Sequence, residues 1–146
     1  MQGPAEVVGE VANVSLKPST AVSIIGSAME LFDATHVALG RAQEATRLCH
    51  DALAANIANA NTHGYRRVDV NFRDALAQAM QRGRAHVERL SFAAEVESSA
   101  AMRVDGNTVD IDVESAELAA NALENQALVA VAHGRSAAVK TAIGVG

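Results

Sequence analysis

Two stretches of this chain repeat small and apolar residues at alternating steps of four and three, and that spacing leaves few folds open. Leu31, Thr35, Ala38, Ala42, Ala45, Cys49, Ala52, Asn56 and Asn59 form the first series. Ile111, Ser115, Leu118, Ala122, Asn125, Val129, Ala132, Ser136, Val139 and Ile143 form the second. Residues so spaced fall on one side of an α-helix. Carried from Ser27 to Asn59, the first helix would be about 50 Å long at about 1.5 Å per residue. A lone helix this rich in Ala is marginal in water and leaves its seam exposed, so it needs a partner helix. The simplest solution pairs the two terminal helices, parallel or antiparallel, as a coiled-coil-like layer.

Composition supports thin helical packing over a compact ball. Hydrophobic residues make up 49% of the 146, yet aromatics only 3%, with no Trp. Ala is the best helix former and lets helices approach closely, but it buries little area. The fold class expected is therefore mainly α, organised as a single domain. It comprises a flexible arm over 1–26, a long helix over 27–61, an irregular middle over 62–111 and a closing helix over 112–146. The arm is read from Gly3, Pro4, Gly9 and Pro18 without a sustained period.

The stretch Asn56–Phe72, NIANANTHGYRRVDVNF, sits where the first pattern stops. Asn56, Asn59 and Asn61 favour caps and turns, and Gly64 allows a positive φ. Tyr65 offers an apolar ring with a polar tip. Arg66 and Arg67 place two cations within reach of the carbonyls at a helix C-terminus. An ordinary helix exit accounts for these residues; a second reading has Asn56, Asn59 and Asn125, polar positions on apolar seams, fixing the register of pairing.

Further along, Phe72, Leu76 and Met80 predict a short helix over 71–81, with Asn71 or Asp69 as cap. Residues 83–101 lose the period and read as loop or weak extended structure. Asp105-Gly106 suits a tight turn, predicting a small β-hairpin from 101–104 and 107–111. Asp110 or Asp112 can cap the last helix, and Glu114 and Glu117 suit the positive end of its dipole.

No catalytic set stands out. His36, His50, His63, His86 and His133 lack metal-ligand spacing, and Asp105, Asp110, Asp112 and Glu114 lack that of a calcium loop. There is no phosphate-binding glycine loop and no nucleophile elbow, so neither an enzyme nor a cofactor is expected. A net charge of −5 gives no general attraction to nucleic acid or anionic lipid. Cys49, the one cysteine, cannot form an internal disulfide. No apolar run reaches the roughly 18 residues of a membrane span, and Glu6 and Glu10 are unlike a secretory signal.

The segment NIANANTHGY followed by RVDVNF resembles the N-terminal signature of the axial proteins of the bacterial flagellum. The residues carrying it are Asn56, Ile57, Ala58, Asn59, Ala60, Asn61, Thr62, Gly64, Tyr65 and Phe72. A second block, DGNTVDID leading into ELAANAL at 117–123, resembles the short rod class, that of the proximal rod. His63 stands where the family usually has Pro, Glu124-Asn125 replaces a basic-aromatic pair, and the arm before Ser27 is longer than usual. The resemblance implies a structural subunit exported through the flagellar type III apparatus without a cleaved signal and built into the periplasmic rod. Its implied partners are other rod proteins, the FliE adaptor and the export gate or MS ring, in a heterologous helical assembly. Leu31, Ala38, Ala45, Ala52, Leu118, Ala122, Val129, Val139 and Ile143 are expected to carry helix packing. A helical adaptor or export chaperone binding one partner through the same seams is the alternative.

Overall fold

The computed structural model describes residues 18–98, 101–142 and 144. It is mainly helical, with long helices toward both ends of the chain, as the two series predict. α1 runs Pro18–Ala58 and α4 runs Ile111–Ala142. At 41 and 32 residues they are about 60 and about 48 Å long. Between them lie β1 (Val68–Asp69), α2 (Arg73–Arg82), α3 (Arg84–Glu88) and β2 (Glu95–Val96).

α1 starts earlier than the sequence suggested. Residues 18–26, assigned to the arm, are its first turns, and the rest of the expected arm lies outside the described residues. The reason is Pro18, read as a breaker but tolerated at the first helical position, where its missing N–H would have had no partner. The helix stops where the Asn residues and Gly64 require, with Gly64 at φ +71.

α1 and α4 pack antiparallel. Asn56 near the end of α1 bonds Glu114 near the start of α4, and ten residues back along α1 the Thr46 carbonyl accepts from Asn121. Ala38, Ala42, Ala45, Cys49, Ala52 and Asn56 are all buried, so the first series forms a seam as read. One core cluster sets Ala45, Cys49, Ala52 and Leu53 against Val70 and Phe72, with Leu118 of α4 packed on it. A smaller one joins Ala38 of α1 to Ala79 of α2 and Val87 of α3. Phe72 and Phe92 meet edge to face at 6.1 Å, so two of the few aromatic rings fill the space beside α1.

The second series behaves differently. Ala122 and Asn125 are exposed, as are Val129 at 40% and Val139 at 48%. The face turned to α1 carries Glu114, Leu118, Asn121, Leu128 and Ala132; Leu118 and Ala132 belong to the series, whereas Glu114, Asn121 and Leu128 stand one position before Ser115, Ala122 and Val129. Two polar side chains, Glu114 and Asn121, are the buried ones. Periodicity ranked the apolar set as inward because it cannot anticipate polar groups that find partners across the interface. On the opposite side, Ala116, Ala119, Leu123, Ala127, Ala130 and Ala137 are exposed, with no charged residue among them.

In the middle, α2 lies where expected, but its N-cap is Phe72, which makes no side-chain cap bond; the Asp69 carboxylate accepts instead from Val70 N–H. α3 occupies residues read as loop, tied to α1 by Arg84 to Asp33 and by Arg41 to the Glu88 carbonyl. The small antiparallel sheet exists but not around Asp105-Gly106. It pairs β1 with β2, Val68 opposite Val96 and Asp69 opposite Glu95. Asp105-Gly106 does make its turn, closed by Arg103 N–H to the Asn107 carbonyl at 2.8 Å. The flanking residues do not form strands because they bond across to the exit of α1.

Candidate functional site

The two sequence blocks, about fifty residues apart, meet at one end of the α1/α4 pair. A helix that ends in Asn-rich sequence leaves its last carbonyls without intrahelical partners. Here the carbonyls of Ala55, Asn56 and Ile57 accept from Asn59 and Ala60 N–H, and a single side chain from the second block serves the turn that follows. Asn107, fully buried, donates from Nδ2 to the carbonyls of Asn59 at 3.0 Å, Ala60 at 3.1 Å and Thr62 at 2.8 Å. Its Oδ1 accepts from Val109 N–H at 2.7 Å, which fixes the orientation of the amide. Around it, Gly64 N–H donates to the Asp105 carbonyl, Thr108 N–H to the Tyr65 carbonyl, and Arg67 N–H to Thr108 Oγ1. Gly106, at φ +76, comes so close that a Cβ there would lie 3.4 Å from Gly64 Cα.

Below this turn lies a charged network. Arg67, 9% exposed, directs its guanidinium at Glu114, Glu97 and Glu117, with Asp69 at 3.9 Å. Glu114 is fully buried. Burial works against the charge on Arg67, but hydrogen bonds to Glu114 and Glu97 outweigh it and hold its pKa above the usual arginine value. Glu114 also accepts from Asn56 Nδ2 at 2.9 Å. Asn56 in turn donates to the Val68 carbonyl at 2.8 Å and accepts from Val68 N–H at 3.0 Å and Tyr65 Oη at 3.3 Å. An amide side chain on α1 thus pairs with the inner edge of β1 as a neighbouring strand would.

The expected residues divide clearly. Asn56, Ala60 and Phe72 are buried; Ile57, Asn59 and Tyr65 are half-buried; Ala58, Asn61, Thr62 and Gly64 are exposed. Asn59 Nδ2 bonds the Ala55 carbonyl, and Thr62 Oγ1 bonds Asn59 Oδ1, so both close the last turn of α1. Of the packing set, Ala38, Ala45 and Ala52 lie in the seam and Leu118 beside it, whereas Ala122, Val129 and Val139 are exposed. The side chains of Leu31 and Ile143 lie outside the described residues. Arg67, expected at the helix C-terminus, serves carboxylates instead, and Arg66 is exposed. Glu124, one of the departures from the family pattern, pairs with Arg73 and raises its pKa.

Sequence reasoning missed Asn107, Glu114 and Asn121 as buried polar groups. Glu114 read as a helix-dipole acid and Asn107 as a strand residue. A usable signal was the charge count in 95–117, where Glu95, Glu97, Asp105, Asp110, Asp112, Glu114 and Glu117 face a single Arg103 and need cations from elsewhere.

A buried polar clasp joined to long helices defines a rod protein of the flagellar basal body once comparison with known proteins is added. A family model described as flagella basal body rod protein matches residues 38–66, the second half of α1 and the turn that follows. The flagellar basal body rod protein FlgB of Escherichia coli K12 is 34% identical over 117 residues, covering 66% of this chain and 85% of its own length. That of Salmonella typhimurium is 35% identical with the same coverage, and that of Bacillus subtilis 30% identical over 125 residues, 79% of this chain and 97% of its own. The chain belongs to the FlgB family of flagellar basal body rod proteins.

Proposed function

We propose that the chain is a structural subunit of the proximal part of the basal body rod and that it transmits torque mechanically through its paired terminal helices. The observation that carries this reading, beside family membership, is the apolar surface that α4 leaves uncovered. Ala122, Val129 and Val139 are exposed although their spacing marks a helix interface, and Ala116, Ala119, Leu123, Ala127 and Ala130 are exposed on the side away from α1. An apolar helical face of this length without an internal partner is suited to a neighbouring subunit. Heterologous contacts that repeat without closing, rather than a two-fold dimer, fit a rod.

Export through the flagellar type III apparatus, without a cleaved signal, and contact with other rod proteins, FliE and the export gate or MS ring follow from the same reading. Purified basal bodies provide the test: this chain is expected in them at a fixed ratio to other rod components. Its absence from basal bodies of motile cells would favour a soluble adaptor.

A further inference from the structure

α1 turns a seam of small residues, Ala38, Ala42, Ala45 and Ala52, toward its partners, and such a seam accepts a packed helix nearly as well after a slip of one heptad, about 10 Å. Something other than alanine must therefore decide which register forms. The buried polar groups are placed to do so. Asn56 uses both amide hydrogens and its oxygen, and a flipped amide would set oxygen against the Val68 carbonyl and nitrogen against Val68 N–H. Its orientation is fixed, so the group facing it from α4 must accept. The same group must also accept from Arg67 Nε. Only a carboxylate presents acceptors to both donors; a Gln would turn its NH₂ toward one of them.

We infer that Asn56, Arg67 and Glu114 form a register selector for the α1/α4 pair. In the native register Glu114 Oε1 and Oε2 receive the two donors and leave no buried charge unmet. A slip of seven residues along α4 brings Asn121 to that position, with one acceptor oxygen for two donors, and Arg67 loses its buried counter-charge. Asn121 itself contributes less to register: in the native pairing its Nδ2 bonds the Thr46 carbonyl at 3.1 Å while its buried Oδ1 has no partner. The inference concerns pairing within one chain, and does not rest on the rod reading.

Disulfide trapping in the purified full chain, with Cys49→Ala as background, tests it. Thr46→Cys with Asn121→Cys reports the native register, and Thr46→Cys with Leu128→Cys reports the heptad slip. With Glu114 present, oxidation is expected to close the first pair and to leave the second below a tenth of that yield. Glu114→Gln is expected to raise the yield of the slipped pair at least tenfold. The apolar set Asn56→Leu, Arg67→Met and Glu114→Leu is the second variant, because replacing a buried ion pair by packed apolar groups usually preserves folding. It is expected to retain helical circular dichroism and to give both crosslinks. If these helical variants show only the native crosslink at the yield of the parent chain, the selector is overturned. Should Glu114→Gln lose its helical signal, the apolar set decides alone.

Discussion

Asn107→Ala removes the side chain that holds the turn following α1, and its effect can be worked from the bonds. Two amide hydrogens serve the carbonyls of Asn59, Ala60 and Thr62, and one oxygen serves Val109 N–H. Hydrogen bonds contribute roughly 0.5–1.5 kcal/mol net each, and a buried group left unmatched costs about 1–3 kcal/mol. Thr62 and Asn61 are exposed, so water can reach part of this turn. The expected loss is therefore about 3 kcal/mol rather than the full sum. Urea unfolding followed by circular dichroism reads it: with a slope of about 2 kcal/mol per molar, the midpoint drops by about 1.5 M. Asn107→Asp sharpens the test, since it keeps the acceptor for Val109 but turns a negative oxygen toward three carbonyls. It should be worse than Ala. A loss under about 1 kcal/mol for Ala, or an Asp variant as stable as wild type, would refute the capping account.

Glutamate substitutions should separate folding from assembly. Ala45→Glu buries a charge in a fully enclosed position and should abolish the helical monomer, whereas Ala122→Glu should leave urea stability within about 0.5 kcal/mol yet stop swimming; motile cells carrying only Ala122→Glu would remove that face from assembly. Burial, helped by Asp69, pushes the Cys49 thiol above its ordinary value of 9.0, against the pull of Arg73. Above about pH 9 the unfolded chain thus binds fewer protons than the folded one, so stability falls as pH rises, and Cys49→Ala should flatten that slope in urea midpoints measured from pH 8 to 10.5.

Much of the architecture was legible because helices announce themselves locally. The seam from Ala38 to Asn56 followed from spacing, and the exit at Gly64 from backbone chemistry. What remained hidden depends on partners distant in sequence. Pairing of Arg67 with Glu114 spans 47 residues, and nothing local distinguishes that glutamate from the exposed Glu117 one turn later. The same cause misplaced the small sheet: Asp105-Gly106 carries a sound turn signal, but Thr108 and Asn107 are claimed by the α1 exit before they can pair as strands. Along α4, apolar spacing ran about one position off the inner face at Glu114 and Asn121, because those polar groups are held there by hydrogen bonds.

The alanines on the outside of α4 have a consequence for the cost of association. A protein surface of lysines and glutamates loses side-chain freedom when it is covered, roughly 1.5–2 kcal/mol for each long side chain fixed. The outer face of α4 offers Ala116, Ala119, Ala127, Ala130 and Ala137, whose methyl groups have no rotamers to lose. Covering such a face yields little area per residue, yet almost none of that gain is returned as entropy. Many modest contacts of this kind, added along about 48 Å of helix, can hold neighbours firmly while demanding little rearrangement from any one of them.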